Sequence, residues 1–443
     1  MDLNNLPDIT NQIIKDLINE HKDSKLPRYK KLMDYYKAKH NVLEKTVTDP
    51  SQPNNKLVND YPGYIVDTIQ GYFIGIPAQY SSDKDEKFID DLQDVFDSNN
   101  ETDHNAEMAK YMGIYGEAFE YLYTNEDSEI RFVRLKNEET IVVFDSSFQK
   151  SVQMALRYYN ILDTSTKKDI TKVELYYSDR VDYYTQDGDN YKLEQSTLHY
   201  FGKVPIIYYN NNDECLGDFE KVMTLIDDYD KRVSDNSNEL EYFRNSYLKI
   251  KNMSGTTNED IKKVKESGAF MIDGDGDVGF VEKNVNDGYT EHHMERLDAN
   301  IHKFSKVPNL SDESFAGNLS GVAIKYKLWP IEQIAACKER KFKTGLKRRI
   351  KLISQIFIIK GKNYNWKEVK IAFKRNIPSN LLELSQIAAN IEGIVSNETL
   401  LSILPFIESP DLEMERMKIE QEEDLNYKLL DTQYKVRSSK VVE

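Results

Sequence analysis

The spacing of hydrophobic positions along the 443-residue chain changes repeatedly, and each change marks a different kind of structure. Up to Tyr115 the apolar residues recur at threes and fours. That predicts helices at 9–22, 28–40, about 62–75, 87–99 and 103–115. Pro62 suits a helix start, and Gly75 with Pro77 a stop. From Glu117 to Tyr209 the period falls to two, in runs such as FEYLYT, EIRFVRL, TIVVFD and VELYYSDRVDYYT. Asn125, Asp145 and Asp187-Gly188 punctuate the runs, so this stretch is expected to be an antiparallel β region. Its tyrosines are good strand formers. They fit either a half-buried sheet surface or a platform on which nucleic-acid bases stack.

After Cys215 the helical period returns. Phe219, Val222, Ile226, Tyr229, Val233, Asn236, Leu240, Phe243 and Tyr247 step by alternating threes and fours, a heptad stripe with one polar member, Asn236. Such a stripe packs in the core of one chain or against another subunit. A short helix at 258–267 follows. GAFMI and VGFVE then flank DGDGD, which reads as a β-hairpin, and a second amphipathic helix runs from Asp287 to Val307 before Pro308. Ser311–Ser320 is small and polar, with one bulky residue, Phe315, and a glycine, Gly317. From Gly321 about 40 residues carry no stop signal, roughly 60 Å of helix, with a kink expected at Pro330. WKEVKIAFK (366–374) is a lone strand that must join a sheet built earlier. Helices are expected at 380–394, 398–404 and 411–430, with Asn397 and Asp411 as N-caps. The fold class expected is α+β, mostly helical. The segments are 1–215, 216–252, 253–286, 287–308, 309–320, 321–362, 363–377 and 378–443.

Charge changes this picture. The net charge is −16, with 75 acidic residues against 59 Lys and Arg. A broad DNA-gripping surface is usually basic, so a sequence-specific DNA binder is disfavoured. A surface past which DNA slides without sticking is not. Against this background Lys338–Lys351 (KERKFKTGLKRRIK) is anomalous, since only Glu339 opposes its cations. Lys347, Arg348 and Arg349 either pair with acidic helices, in the same chain or a neighbour, or touch DNA phosphate. No apolar run approaches the roughly 18 residues a membrane span needs. The N-terminus is polar and acidic, without a secretory pattern. Cys215 and Cys337 lie far apart and read as reduced thiols.

Catalytic and cofactor chemistry finds no support. Gly274, Gly276 and Gly279 spell GxGxxG, but a strand rather than a helix follows, and Asp275 and Asp277 would repel a pyrophosphate. Asp273, Asp275 and Asp277 resemble the start of a calcium loop, yet Val278 and Asn284 stand where Gly and Glu are required. No phosphate-binding loop is present, and the adjacent His292 and His293 point about 100° apart on a helix. No cofactor, no metal site and no enzyme activity are expected.

Several stretches together resemble the portal proteins of tailed double-stranded-DNA bacteriophages, of the type found in siphophages of Gram-positive hosts. They are RYKKLMDYYKAKHNVL, NNKLVNDYPGYIVDTIQGYFIGIPAQY, MGIYGEAFEYLY, GDFEKVMTLIDDYDKRVSDNSNELEYF, SGVAIKYKLWPIEQ and FKRNIP, in the expected order from Arg28 to about Met417. The resemblance implies a homo-oligomeric ring of about twelve copies at one capsid vertex. Double-stranded DNA is packaged and later ejected through it. Implied partners are the large terminase subunit, the head–tail adaptor, and the major capsid and scaffolding proteins. The implied locations are the virion and, during assembly, the host cytoplasm, with no membrane role.

By the same resemblance residues 1–215 and 363–377 correspond to a wing, 216–252 and 287–308 to two stem helices, and 253–286 to a clip. The segment 309–320 corresponds to a tunnel loop, 321–362 to a long kinked helix, and 378–443 to a crown. Ser314, Phe315, Ala316, Gly317, Asn318 and Leu319 are then expected at the channel constriction. Val233, Asn236, Leu240, Phe243 and Tyr247 fall between subunits, and Asp273, Asp275 and Asp277 at the docking edge. Pro330 departs from the family pattern, in which a flexible residue is commoner, and the crown tail is short.

Overall fold

The computed structural model describes residues 9–50, 52–148, 150–162, 167, 169–244, 248–252, 257, 259, 262, 275, 277–280, 287–310, 321–377, 381–404, 407 and 409–422. The chain separates into two units, Met1–Asn309 with Pro330–Asn376, and Leu310–Trp329 with Ile377–Glu443. The division falls at Pro330, inside a helix. Helices and antiparallel strands are segregated along the chain, which makes the fold α+β.

In the first unit, α1 (Asn11–Glu20) passes through a π-turn at His21–Lys25 into α2 (Leu26–Tyr36). Next come α3 (Tyr61–Ile74), the short strand β1 (Gln79–Ser81), α4 (Glu86–Ser98) and α5 (Glu101–Tyr115). These match the helices read from the 3.6 period to within a few residues. Gly116 then turns the chain at φ 84°, and a Cβ there would meet the Cys215 carbonyl oxygen at 2.0 Å, so only glycine fits.

The period-two region forms β2 (Glu117–Thr124), β3 (Ile130–Leu135), β4 (Thr140–Phe144), β5 (Val152–Leu162), β6 (Asp169–Tyr176), β7 (Arg180–Asp187), β8 (Asn190–Leu198) and β9 (Ile206–Asn210). They make two antiparallel sheets, of order β3-β2-β9 and β4-β5-β6-β7-β8. Alternation explains the layering. On one face of the larger sheet Met154, Leu156, Val173 and Leu175 pack on Ile14 and Ile18 of α1. On the other, Ala155, Tyr176 and Val181 pack on Phe119, Leu135 and Ile206 of the smaller sheet.

The first long helix starts later than its apolar stripe. Residues 216–222 are not α-helical: Leu216 N–H donates to Asn212 Oδ1 (2.8 Å) and Asp218 N–H to the Gly113 carbonyl (2.7 Å). A 3-10 turn at Glu220–Val222 leads into α6 (Met223–Arg244). The expected helix to 252 is also cut short, because Leu248–Lys251 alternates as LKIK and forms β10. It pairs antiparallel with β11 (Asp277–Phe280), the VGF arm of the expected hairpin. The other arm, GAFMI, lies outside the described residues. The helix α7 (Asp287–Ser305) follows.

The helix α8 (Gly321–Ile359) contains Pro330. Ile331, Ala335, Phe342, Leu346, Ile350 and Ile353 form its buried stripe in the first unit. Gly345 lets it press on β9, since a Cβ would sit 2.1 Å from the Tyr209 ring. The expected strand at 366–374 is a 3-10 turn (Trp366–Glu368) and a short strand, β12 (Lys370–Ala372). It joins β1 in a two-stranded ribbon rather than either larger sheet.

The second unit contains α9 (Leu381–Ile391), α10 (Asn397–Ser402) and α11 (410–422). The caps lie earlier than expected: Ser396, not Asn397, accepts the Thr399 N–H at 3.3 Å, and Ser409, not Asp411, accepts that of Leu412 at 3.4 Å. A hydroxyl one or two residues upstream reaches the first turn better than a side chain already inside it.

Candidate functional site

The helices α6 and α7 pack on each other and stand on α2, α3 and the segment between them. Apolar contact fixes their base: Phe219, Val222 and Ile226 are fully buried, as is Ile301 on α7. Tyr61 of α3 holds both helices. Its hydroxyl donates to Asp298 of α7 (2.6 Å), and its ring meets Tyr229 of α6 edge-on at 5.2 Å. Arg28 grips Glu220 through two nitrogens, at 2.8 and 2.7 Å. His293 faces Asp228 across the two helices at 3.1 Å.

A second face of α6 is polar, and a strap covers it. Asp227, Asp230, Ser234, Asn238 and Glu241 recur at helical spacing. Residues 40–50 and 52–59 run along them. Asp230 is fully buried and takes His40 Nδ1, the Asn59 N–H (2.8 Å) and the Asn59 amide (2.9 Å). Ser234 accepts the Leu57 N–H at 2.9 Å, Asn238 the Asn55 N–H at 2.6 Å, and Glu241 the Asn55 amide at 2.8 Å. The extended strap thus finds its backbone partners in α6 side chains instead of a neighbouring strand. The heptad analysis missed this face. Its signal was a series of Asp, Ser, Asn and Glu one or two positions after the apolar stripe, matched by the asparagines of NNKLVND.

Beside the strap the apolar stripe loses cover toward the end of α6. Val233 and Asn236 are half-buried and Leu240 is 68% exposed. Nothing is described for the Phe243 side chain, and Tyr247 lies outside the described residues. So does Asp273, while Asp275 and Asp277 are exposed, at a turn and at the start of β11. Ser314, Phe315, Ala316, Gly317, Asn318 and Leu319 also lie outside the described residues.

The basic stretch of α8 divides in two. Arg349 is fully buried: its guanidinium pairs with Glu120 (2.6 Å) and Glu101 (3.2 Å) and donates to Asn105 at 2.8 Å. Burial pushes the Glu120 carboxyl up, but the Arg349 charge and then the His104 hydrogen bond (2.7 Å) hold it down to about 2. Arg349 is therefore corrected from a possible phosphate contact to an internal ion pair, since its donors are spent inside the unit. Lys338 is buried against Asp218, and Lys341 pairs with Asp213. Lys347 is exposed, and half-buried Arg348 donates to the Val204 carbonyl at 3.3 Å. Three successive cations, Lys347, Arg348 and Arg349, do not reveal which face of the helix is inward until the carboxylates opposite are placed.

Among the described residues no group of three or more His, Cys, Asp and Glu could hold a metal ion, and no helix is long and apolar enough to cross a membrane. The arrangement is mechanical: a braced pair of helices with an uncovered apolar end.

Comparison with known proteins agrees with that character. Residues 15–427 match the family described as phage portal protein, SPP1 Gp6-like. A portal protein of Bacillus phage SPP1 is 26% identical over 455 residues, covering 95% of this chain and 87% of the relative. A portal protein of Clostridium phage phiCD119 is 24% identical over 416 residues, covering 87% of this chain and 91% of the relative. With the family match running through both units, the chain belongs to the SPP1 Gp6-like family of phage portal proteins, and its function is that of a phage portal.

Proposed function

We propose that copies of this chain, about twelve, close a ring around a channel for double-stranded DNA. The observation that carries this is the α6 stripe: Ile226 is buried within the chain and Leu240, on the same stripe, is 68% exposed. A helix apolar beyond its own chain's cover calls for another helix, and identical neighbours supply one at every position of a ring. On this reading α6 and α7 are the stem, with Val233, Asn236, Leu240, Phe243 and Tyr247 between subunits. The larger sheets and β12 belong to the wing, 253–286 is the clip, and 378–443 is the crown.

Ser314 to Leu319 form the channel constriction on this reading. Ser314 and Asn318 offer neutral hydrogen bonds, Ala316 and Gly317 are small, and Phe315 is the one bulky contact. No residue there is basic, so contact with DNA is steric and weakly polar. Lys347 and Arg348 remain the candidate phosphate contacts of α8. The large terminase subunit and then the head–tail adaptor dock at the clip through Asp273, Asp275 and Asp277. The major capsid and scaffolding proteins surround the ring, which forms in the host cytoplasm and ends in the virion. The role is structural, with no cofactor.

The test is size-exclusion chromatography with light scattering, followed by negative stain. Several hundred kDa and ring-shaped particles are expected. A monodisperse 51.6 kDa species at micromolar concentration would defeat the reading.

A further inference from the structure

The five-stranded sheet ends on β4 and β8, which pair with no further strand among the described residues, and beside each lies a feature the chain leaves unmatched. Beside β4, the β4–β5 turn projects Phe148 into solvent, fully exposed. Described residues of the turn are tied to one another. Asp145 accepts from the Ser147 N–H (3.2 Å), the Ser147 hydroxyl (2.6 Å) and the Ser151 N–H (3.0 Å). Its carboxylate is thereby engaged within the turn, while exposed Lys150, next to it, makes no ion pair among the described residues. A single exposed aromatic is common on protein surfaces, so Phe148 gains meaning only from the cation beside it and from a matching cleft at the opposite edge.

Toward β8 a cavity of about 410 Å³ opens between the two sheets. Tyr121, Tyr123, Val133, Tyr183, Leu198 and Phe201 supply its apolar walls. Tyr123, Val133 and Leu198 are exposed, Leu198 by 66%. Two edge strands bound it, β3 of the smaller sheet, whose outer edge the Asn99 side chain caps at Ile130 and Phe132 (3.0 Å each), and β8 of the larger. The β2–β3 turn that continues from its wall carries exposed Glu126 and Asp127. So one edge offers an aromatic knob with a cation, and the other an aromatic-lined cleft with acids nearby. The edges are four strand spacings apart, about 19 Å, and the chain's own Phe148 does not occupy its own cleft.

We propose that Phe148 of one copy seats in this cleft of the next copy, with Lys150 against Glu126 and Asp127. Two different patches on opposite edges of one sheet make a heterologous contact, the kind that closes rings. The inference rests on the ring reading but concerns a surface separate from the stem.

The test places a photoreactive phenylalanine analogue at position 148 of the full chain and maps the cross-links by mass spectrometry. A link between two copies, at Tyr121–Thr124, Val133 or Leu198, is expected. In parallel, Phe148→Ala and Leu198→Glu should each raise the concentration for half-assembly by about tenfold or more. Their circular dichroism should stay unchanged, since both positions are solvent-exposed. If the wild-type chain assembles but the link falls elsewhere, on another protein, or assembly of both variants is unaltered, the inference fails and the ring stands. If the wild-type chain never assembles, both fail together.

Discussion

The two ends of α6 share one sequence period but live in different surroundings. Near its start Ile226 is fully buried, Asp230 is sealed under His40 and Asn59, and the strap reaches as far as Asn238 and Glu241. Toward its end the apolar face passes through half-buried Val233 and Asn236 to exposed Leu240. The difference shows that a heptad stripe states what a helix can bury and not where the partner comes from. At the base the partner is the same chain. At the far end the apolar face has outrun it, while the polar face beside it is still satisfied. The uncovered end is thus a selective exposure of the apolar face on a helix that is otherwise held.

The strongest way to break this comparison is at the base. Asp230→Ala would leave buried His40 and two donors of half-buried Asn59 without their acceptor. Leaving a buried polar group without its partner costs about 1–3 kcal/mol, and urea unfolding of the dilute single chain should show it. A loss under about 1 kcal/mol would mean the strap does not hold α6, and the two ends would no longer differ in kind. Leu240→Asp tests the other end. The single chain should change by no more than about 0.5 kcal/mol, because the side chain is already in water. Assembly should fail, because a charge would enter a packed interface. If Leu240→Asp unfolds the single chain instead, its stripe belongs to the chain's own core.

Legibility followed the same divide. The helices before Tyr115 and the alternating strands were readable, because each buries one face against its own chain and periodicity reports that directly. Leu248–Lys251 was misjudged because LKIK is too short to show its period beside a long helical stripe, and its partner, β11, lies more than twenty residues on. Arg349 stayed open between an internal ion pair and a phosphate contact for a related reason. Its inward aim depends on Glu101 and Glu120, some 230 to 250 positions earlier in the chain, whose own pattern is only that of a helix start and a strand. The strap was missed because its regularity belongs to α6 and not to itself.

Asn236 sharpens the comparison more gently. A polar residue in an apolar stripe fixes register at a cost in stability. Asn236→Leu is expected to tighten assembly severalfold while widening the range of ring sizes in native mass spectrometry. A single unchanged ring size would mean that register is set elsewhere.

The smallest expected effect is on alkaline stability. Tyr35 and Tyr61 donate to Asp227 and Asp298, each at 2.6 Å, at the base of the two helices. Burial first, then the hydrogen bond and the charge of the aspartate, raise both phenols above their ordinary value near 10. A group whose folded pKa is raised gives stability that is full below its unfolded pKa and lost as pH climbs from there toward the folded one. The base contacts should therefore weaken above about pH 10, which no such bond does at the far end of α6 among the described residues. Tyr35 is buried, but Tyr61 and both acceptor aspartates are only half-buried, so solvent screening keeps the effect modest. The thermal midpoint of the dilute chain should fall between pH 9 and 11 by a smaller amount in a Tyr35→Phe, Tyr61→Phe double variant than in the wild type. The remaining fall belongs to lysines and to the other tyrosines. If rings come apart in this range before the circular dichroism of the subunit changes, the far end is the alkaline-sensitive one, and the assignment of the two ends reverses.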